Sequence, residues 1–124
     1  MLSFTTEAIA ERLDGLDDQE LDELDFGVVR MTHDGVVIAY NRAESRVSGM
    51  QPENVKGRNF FVQVAPCTNN YLVAERYRQD DELDEVLDYV FTYAIVPTPV
   101  TLRLVKRAES SWCYLLVRLR GGGA

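Results

Sequence analysis

The stretch GVVRMTHDGVVIAYNRAE, residues 27–44, decides the fold of this chain. It contains two β-rich runs, 27–31 and 36–40, on either side of the turn dipeptide Asp34-Gly35. Apolar runs that flank Asp-Gly are a strong short-range signal for an antiparallel hairpin. We therefore predict a two-stranded hairpin whose second strand ends at Tyr40.

A helix is predicted to follow the hairpin. Asn41 is a favoured N-cap residue and Glu44 stands three positions later, which is the spacing of a capping box. Gly49 suits the position after the last turn of that helix, and Pro52 suits the first turn of the next one. Taken alone, Glu44 is then a capping residue, and Tyr40 is an amphipathic aromatic whose hydroxyl bonds some neighbour.

One or two short helices are predicted on the N-terminal side, between residues 4 and 24. Apolar residues recur there at roughly helical spacing: Ala8, Ile9, Leu13, Leu16, Leu21 and Leu24. Gly15 is expected to separate two pieces. Residues 1–26 hold nine acidic residues and one basic residue, a net charge of -8, whereas the rest of the chain carries +1. This pattern is typical of a solvated helical face, or of an acidic cap on a neutral-to-basic body.

The C-terminal side predicts a helix and three strands. We expect the helix over 71–79, with Tyr71, Leu72 and Ala74 facing inward. Strands are predicted over residues 86–96, 100–106 and 111–119. The inward face of the first strand is expected to carry Leu87, Tyr89, Phe91, Tyr93 and Ile95. Helices between a hairpin and further strands amount to an α+β fold.

Length and charge limit the class of protein. A chain of 124 residues fits one domain, which we divide into an acidic cap (1–26), a core (27–120) and a flexible glycine-rich tail (121–124). No apolar run approaches ~18 residues and the N-terminus is acidic, so we predict no membrane span, no signal peptide and a cytoplasmic location. The net charge of -7 argues against nucleic acid as a partner, and we expect a monomer.

Cysteine and histidine chemistry offers few options. Cys67 and Cys113 lie far apart in sequence, and a disulfide is not expected in a reducing compartment. His33 is the one histidine and lies in the predicted turn, so we expect neither a zinc site nor a histidine-based triad. Cys67 lies in an apolar stretch, residues 59–68, and taken alone it is predicted to be a buried, unreactive core cysteine.

Two motifs change that interpretation. Val64-Ala65-Pro66-Cys67-Thr68 and Tyr40-Asn41-x-x-Glu44 stand in the order and spacing of the photoactive yellow protein family, as do Gly57-Arg58-Asn59-Phe60-Phe61 and Phe91-Thr92-Tyr93. The resemblance covers essentially the whole chain. It implies a PAS fold, which is a five-stranded antiparallel sheet with short helices on one face and an N-terminal helical cap.

The resemblance also implies a chromophore, 4-hydroxycinnamic (p-coumaric) acid, held as a thioester on Cys67. Its buried phenolate would be hydrogen-bonded by Tyr40 and by a protonated Glu44, while Ser48 bonds the tyrosine hydroxyl. The other implied pocket residues are Met50, Phe91, Tyr93 and Ile95. Met50 stands where the family has an arginine and Ile95 where it has a methionine, and both substitutions bear on the return to the dark state.

The function implied by the resemblance is that of a blue-light photoreceptor and not of an enzyme. Light would isomerise the chromophore, Glu44 would transfer its proton, and partial unfolding would signal to an unidentified downstream protein. The alternative is a chromophore-free PAS module that binds a ligand or a protein, with Cys67 in its core. A cysteine-dependent acyl-transfer enzyme would lack a suitable base, because Tyr40 and Glu44 are poor partners for a thiol.

Overall fold

A five-stranded antiparallel sheet forms the centre of the computed structural model, which describes residues 2–92 and 96–120. Its strands are β1 (Gly27–Thr32), β2 (Val37–Tyr40), β3 (Leu83–Phe91), β4 (Thr98–Lys106) and β5 (Trp112–Leu119). They lie in the order β2-β1-β5-β4-β3. The strand number and pairing confirm the sheet that the resemblance implied.

The predicted hairpin is present at one edge of this sheet. β1 and β2 pair antiparallel with Val29 opposite Tyr40. Gly35 in the turn has a φ of 93°, a left-handed conformation that glycine adopts without steric cost. Because β1 also pairs with β5 along its length, the hairpin is fixed within the sheet and the position of Tyr40 is fixed with it.

Short helices cover one face of the sheet, as predicted. They are α3 (Arg42–Ser48), α4 (Pro52–Val55), a π-helical turn (Phe60–Val64), a 3-10 turn (Pro66–Thr68) and α5 (Ala74–Gln79). Gly49 follows α3 with a φ of 78° and Pro52 lies in the first turn of α4, which confirms both boundary predictions. One apolar cluster fills the space between these helices and the sheet.

The predicted N-terminal cap covers the opposite face. It contains α1 (Ile9–Asp14) and α2 (Asp18–Asp22), and Gly15 separates them as expected. A second apolar cluster lies between these helices and the sheet. In the described ranges, 2–92 and 96–120, no helix is both long enough and apolar enough to cross a membrane, and no three His, Cys, Asp or Glu side chains are grouped to hold a metal ion.

The prediction for residues 71–79 is wrong at its start. The helix begins at Ala74, and Tyr71 is 77% and Leu72 44% exposed. The Asn70 side chain accepts hydrogen bonds from the N–H groups of Leu72 and Val73, at 3.0 and 3.1 Å, which holds this stretch in a turn.

The start of the third strand was also misplaced. β3 begins at Leu83 and not at residue 86, since Leu83 already pairs with Lys106 of β4, and Arg103 of β4 also donates to Asp84. Phe91 is buried, and Leu87 and Tyr89 are half-buried, on the predicted inward face.

Candidate functional site

Three polar side chains meet where the hairpin joins α3. Tyr40 ends β2, while Glu44 and Ser48 lie one turn apart on α3 and therefore on the same side of the helix. The Tyr40 hydroxyl donates to Ser48 Oγ at 2.7 Å and lies 3.5 Å from Glu44 Oε2. Tyr40 and Glu44 are 3% and 1% exposed. The strand-to-helix junction thus places a phenol, a carboxyl and a hydroxyl in one shielded group.

Only half of the predicted capping box forms. Asn41 Oδ1 accepts the N–H of Glu44 at 3.1 Å, so Asn41 is the N-cap. The N–H of Asn41 donates to Val28 O of β1 at 3.1 Å, so it does not need the Glu44 carboxyl as an acceptor. The carboxyl is therefore free to turn into the core, so the prediction of Glu44 as a capping residue is wrong for its side chain.

Burial sets the protonation of this group. It raises the pKa of Glu44 from 4.5 to about 8, since the charged form loses its hydration, and it raises the pKa of Tyr40 well above its ordinary range. At neutral pH both side chains are therefore mainly uncharged. Among the described residues, Glu44 Oε1 has no hydrogen-bond partner.

Gly27 leaves room for the Glu44 carboxyl. A Cβ at this position would overlap Glu44 Oε1 and would lie 3.2 Å from the Cβ atoms of Glu44 and Val117. Sequence reasoning missed this glycine, because its φ is ordinary and the requirement comes from β5 and α3 packing on both sides of it.

Cys67 lies in the middle of the 3-10 turn and is half-buried, which corrects the expectation of a fully buried core residue. Its carbonyl oxygen accepts from the Tyr89 hydroxyl at 2.5 Å and from Asn70 Nδ2 at 3.1 Å. The buried Thr68 hydroxyl donates to Ala65 O at 2.7 Å and closes the turn. Tyr89 and Asn70 were not predicted as site residues, and only the preference of asparagine for turns could have indicated the second.

The structure brings four of the eight predicted pocket residues to one apolar cluster. Tyr40 and Phe91 belong to the apolar cluster between the short helices and the sheet, and Met50 and Cys67 pack against it. The Met50 N–H donates to Ser48 Oγ at 3.0 Å, which links it to the tyrosine. Tyr93 and Ile95 lie outside the described residues.

Cys113 offers a contrast to Cys67. It is buried in β5, where it lies opposite Lys106, and burial raises the pKa of its thiol to about 12. A thiol reacts as the thiolate, so Cys113 is a poor nucleophile. Both cysteines are free.

Sequence comparison decides the family. No protein-family model matches the chain. It is 33% identical over 121 residues to the photoactive yellow protein of Rhodothalassium salexigens, which covers 93% of this chain and 96% of the relative. The chain belongs to the photoactive yellow protein family. The photoactive yellow protein of Halochromatium salexigens is 32% identical over 120 residues, with the same two coverages.

Solved structures agree with this assignment. The photoactive yellow protein domain from the sensor histidine kinase Ppr of Rhodospirillum centenum has a TM-score of 0.80 and 37% identity, covering 87% of this chain and 97% of that one. A PAS domain of an HTR-like protein from Haloarcula marismortui has a TM-score of 0.64 at 13% identity, covering 92% and 99%, which supports the fold alone. The chain is thus a PAS-fold sensory domain of the photoactive yellow protein type.

Proposed function

We propose that this chain is a blue-light photoreceptor that carries 4-hydroxycinnamic acid as a thioester on Cys67. The observation that supports it best is Glu44, a buried carboxyl with a raised pKa and one oxygen that has no hydrogen-bond partner among the described residues. It lies beside Tyr40, which belongs to the cluster against which Cys67 packs. The bound group would supply visible absorption and a double bond that light can isomerise.

The residues present fit such a group. A buried phenolate has to be held by strong hydrogen bonds from donors, and the Tyr40 hydroxyl and a neutral Glu44 carboxyl are both donors. Tyr40 donates its one proton to Ser48 in this structure, so with the group bound that proton would turn to the phenolate and the Ser48 hydroxyl would donate to the tyrosine oxygen. The apolar side chains of Met50 and Phe91 belong to or pack against the same cluster. Tyr93 and Ile95 complete the set on the strength of the family resemblance.

Loss of the Glu44 proton would carry the signal. A carboxylate at 1% exposure, with no cationic partner in the described part of the chain, costs several kcal/mol, which is a large part of the 5–15 kcal/mol that holds a small domain folded. Asn41 connects this event to the cap, because it accepts from the Glu44 N–H and its Nδ2 donates to Leu21 O and Phe26 O at 2.8 and 3.0 Å. The N-terminal segment is therefore the part we expect to open.

The same proposal covers the whole chain. Residues 1–26 form the cap, 27–120 the photosensing core and 121–124 a tail, and the signal passes to a separate protein and not to a substrate. The relative that is a domain of a sensor histidine kinase makes a signalling protein the expected class of partner.

Reconstitution tests the proposal. The wild type, Cys67→Ala and Cys113→Ala proteins are each incubated with an activated ester of p-coumaric acid, and mass and visible absorbance are then read. We expect colour and a mass increase in the wild type and in Cys113→Ala, and neither in Cys67→Ala. A colourless wild type would favour the chromophore-free PAS module, and a coloured Cys67→Ala protein would contradict the attachment site.

A further inference from the structure

The face of the sheet beneath the N-terminal segment carries two buried arginines. We call residues 2–24 the cap segment and the sheet surface beneath it the cap face. Arg30 of β1 and Arg103 of β4 are 5% and 7% exposed. Buried charges are rare unless their hydrogen bonds are satisfied, so the partners of these two guanidinium groups define what the face binds.

Both arginines bind main-chain carbonyls of the cap segment. Arg103 Nη1 donates to Phe4 O at 2.9 Å and to Thr6 O at 2.8 Å. Arg30 Nη2 donates to Leu13 O at 2.6 Å and to Leu16 O at 2.9 Å.

The two arginines therefore recognise backbone geometry and do not depend on a particular side chain. Leu13 lies in the last turn of α1, and the carbonyls at the negative end of a helix attract cations. Any segment that ends a helix at this point could accept the two bonds from Arg30.

The sheet itself holds both guanidinium groups in place. Arg103 makes two parallel bonds to the Asp84 carboxylate, each of 2.8 Å. Arg30 Nε donates to the Tyr114 hydroxyl at 3.1 Å, and its guanidinium carbon lies 4.4 Å from the centroid of the Trp112 ring. Because Asp84 belongs to β3 and both Trp112 and Tyr114 belong to β5, these contacts remain when the cap segment is absent, which lowers the cost of binding a replacement.

The rest of the cap face is apolar at the centre and basic at the rim. Val28, Val105 and Leu116 of the sheet share one apolar cluster with cap residues that include Ile9, Leu13 and Leu21. At the rim, Lys56 Nζ lies 2.8 Å from Asp18 and Arg107 Nη2 lies 3.5 Å from Glu11. A segment that fits this surface has an apolar stripe flanked by acidic residues.

We propose that the cap face is a docking site for an acidic amphipathic helix of a partner protein, and that the cap segment occupies it as an intramolecular competitor. The charge of -8 on residues 1–26 against +1 on the rest of the chain matches an acidic ligand on a body with little charge of its own. Helices of six and five residues, as in α1 and α2, are too short to persist alone, so the cap segment can give way. The light trigger for this exchange rests on the proposed function, whereas the docking itself needs no chromophore.

A labelled peptide of residues 2–25 tests the docking in trans, with the full-length protein free of chromophore. Leu13 is fully buried in the cap segment, so Leu13→Ala weakens the competitor without touching the face. We expect Leu13→Ala to bind the peptide at least tenfold more tightly than the wild type. Adding Arg103→Gln to Leu13→Ala should weaken binding at least tenfold, and adding Arg58→Gln, at an exposed arginine outside the face, should not change it.

The sign of the Arg103 effect separates docking from a structural role. If Arg103 bound the tethered cap segment but not the added peptide, its loss would loosen the competitor and raise peptide binding. Equal or tighter binding after Arg103→Gln therefore overturns the proposal. A peptide with its carboxylates replaced by amides should bind at least tenfold more weakly, and equal binding would overturn the acidic character of the partner.

Hydrogen exchange on the same samples shows whether the cap segment has opened while the sheet stays folded. Protected amides in β4 and β5 with exposed amides in residues 2–24 mark the loosened state, and absence of peptide binding in that state overturns the proposal. If Leu13→Ala also loses the β4 and β5 protection, Ile9→Val provides a milder change at another fully buried cap residue. Retention of Leu13→Ala on phosphatidylserine vesicles without peptide binding would assign the face to a membrane instead. None of these outcomes affects the reconstitution test.

Discussion

Both faces of the sheet bury ionisable side chains, but the two kinds differ. One face holds the carboxyl of Glu44, and the other holds the guanidinium groups of Arg30 and Arg103. The carboxyl is titratable, has a raised pKa and leaves one oxygen unpartnered among the described residues. The guanidinium groups stay charged at any ordinary pH and make several hydrogen bonds each. One face therefore holds a group that can change its charge, and the other holds fixed charges that secure a segment. In the function proposed above, deprotonation of Glu44 on the first face releases the cap segment that the second face holds.

The largest expected effect tests the titratable side of this comparison. Glu44 has a pKa of about 8 in the folded protein against an ordinary 4.5, so the folded state keeps a proton that the unfolded state loses. The stabilising effect of the neutral carboxyl is complete below pH 4.5 and is lost as the pH rises to about 8, by up to about 5 kcal/mol. Urea denaturation between pH 4 and 9 should show this slope in the wild type.

Glu44→Gln should remove that slope, because an amide does not titrate. Glu53→Gln, at an exposed position of α4, is the matched control and should keep it. A Glu44→Gln protein that retains the slope of the wild type would move the titration to another residue and remove the basis of the comparison.

The second effect concerns the space around the carboxyl. Gly27→Ala should destabilise the protein by roughly 1–3 kcal/mol, because the added methyl overlaps Glu44 Oε1 and crowds Val117. In a protein that already carries Glu44→Ala, the added Gly27→Ala change should cost much less, because the carboxyl that the new methyl would meet is gone. Chemical denaturation of the four proteins measures the coupling, and additive effects would show that the two side chains do not compete for the same space.

Sequence patterns predicted the backbone of the hairpin and α3 but not the chemistry of the side chains there. The Asp34-Gly35 turn, Asn41 and Gly49 fix the hairpin and α3 through local rules, and the structure agrees with them. Gly27 and the inward turn of Glu44 depend on β1 pairing with β5, a contact about 90 residues away that no local pattern encodes. The prediction of a chromophore on Cys67 rests on the family resemblance alone.

Competition between two local signals explains the error over residues 71–79. Tyr71 and Leu72 fit a helical apolar pattern, but the Asn70 side chain captures the N–H groups that a longer helix would use. Arg30 and Arg103 carry no local sequence signal, because their partners are carbonyls of the cap segment and side chains of β3 and β5 that only the folded chain brings together.

The fixed-charge face gives the third prediction. Arg103→Gln should destabilise the protein by about 2 kcal/mol, since it removes charge-assisted bonds to Asp84 and to the Phe4 and Thr6 carbonyls. Hydrogen exchange should rise first in residues 2–24. Arg58→Gln serves as the control, and a uniform rise over the whole sheet would argue against a role specific to the cap.

The smallest effect concerns the turn that holds Cys67. Tyr89→Phe removes the hydroxyl that bonds Cys67 O and Asn70 Nδ2, and we expect a loss of about 1 kcal/mol. Tyr71→Phe removes a hydroxyl from a side chain that is 77% exposed and should have no measurable effect. Thermal unfolding of both variants provides the measurement, and equal melting temperatures would show that the hydroxyl of Tyr89 does not stabilise the turn.

The central claim is that Glu44 is the switchable charge of a photoreceptor. Light-minus-dark infrared difference spectra of the reconstituted wild type and Glu44→Gln proteins test it most directly. We predict that illumination removes a carboxylic C=O band in the wild type and that this band is missing in Glu44→Gln. A band that persists in Glu44→Gln would show that another acid supplies the proton, and would contradict the account given for this face of the sheet.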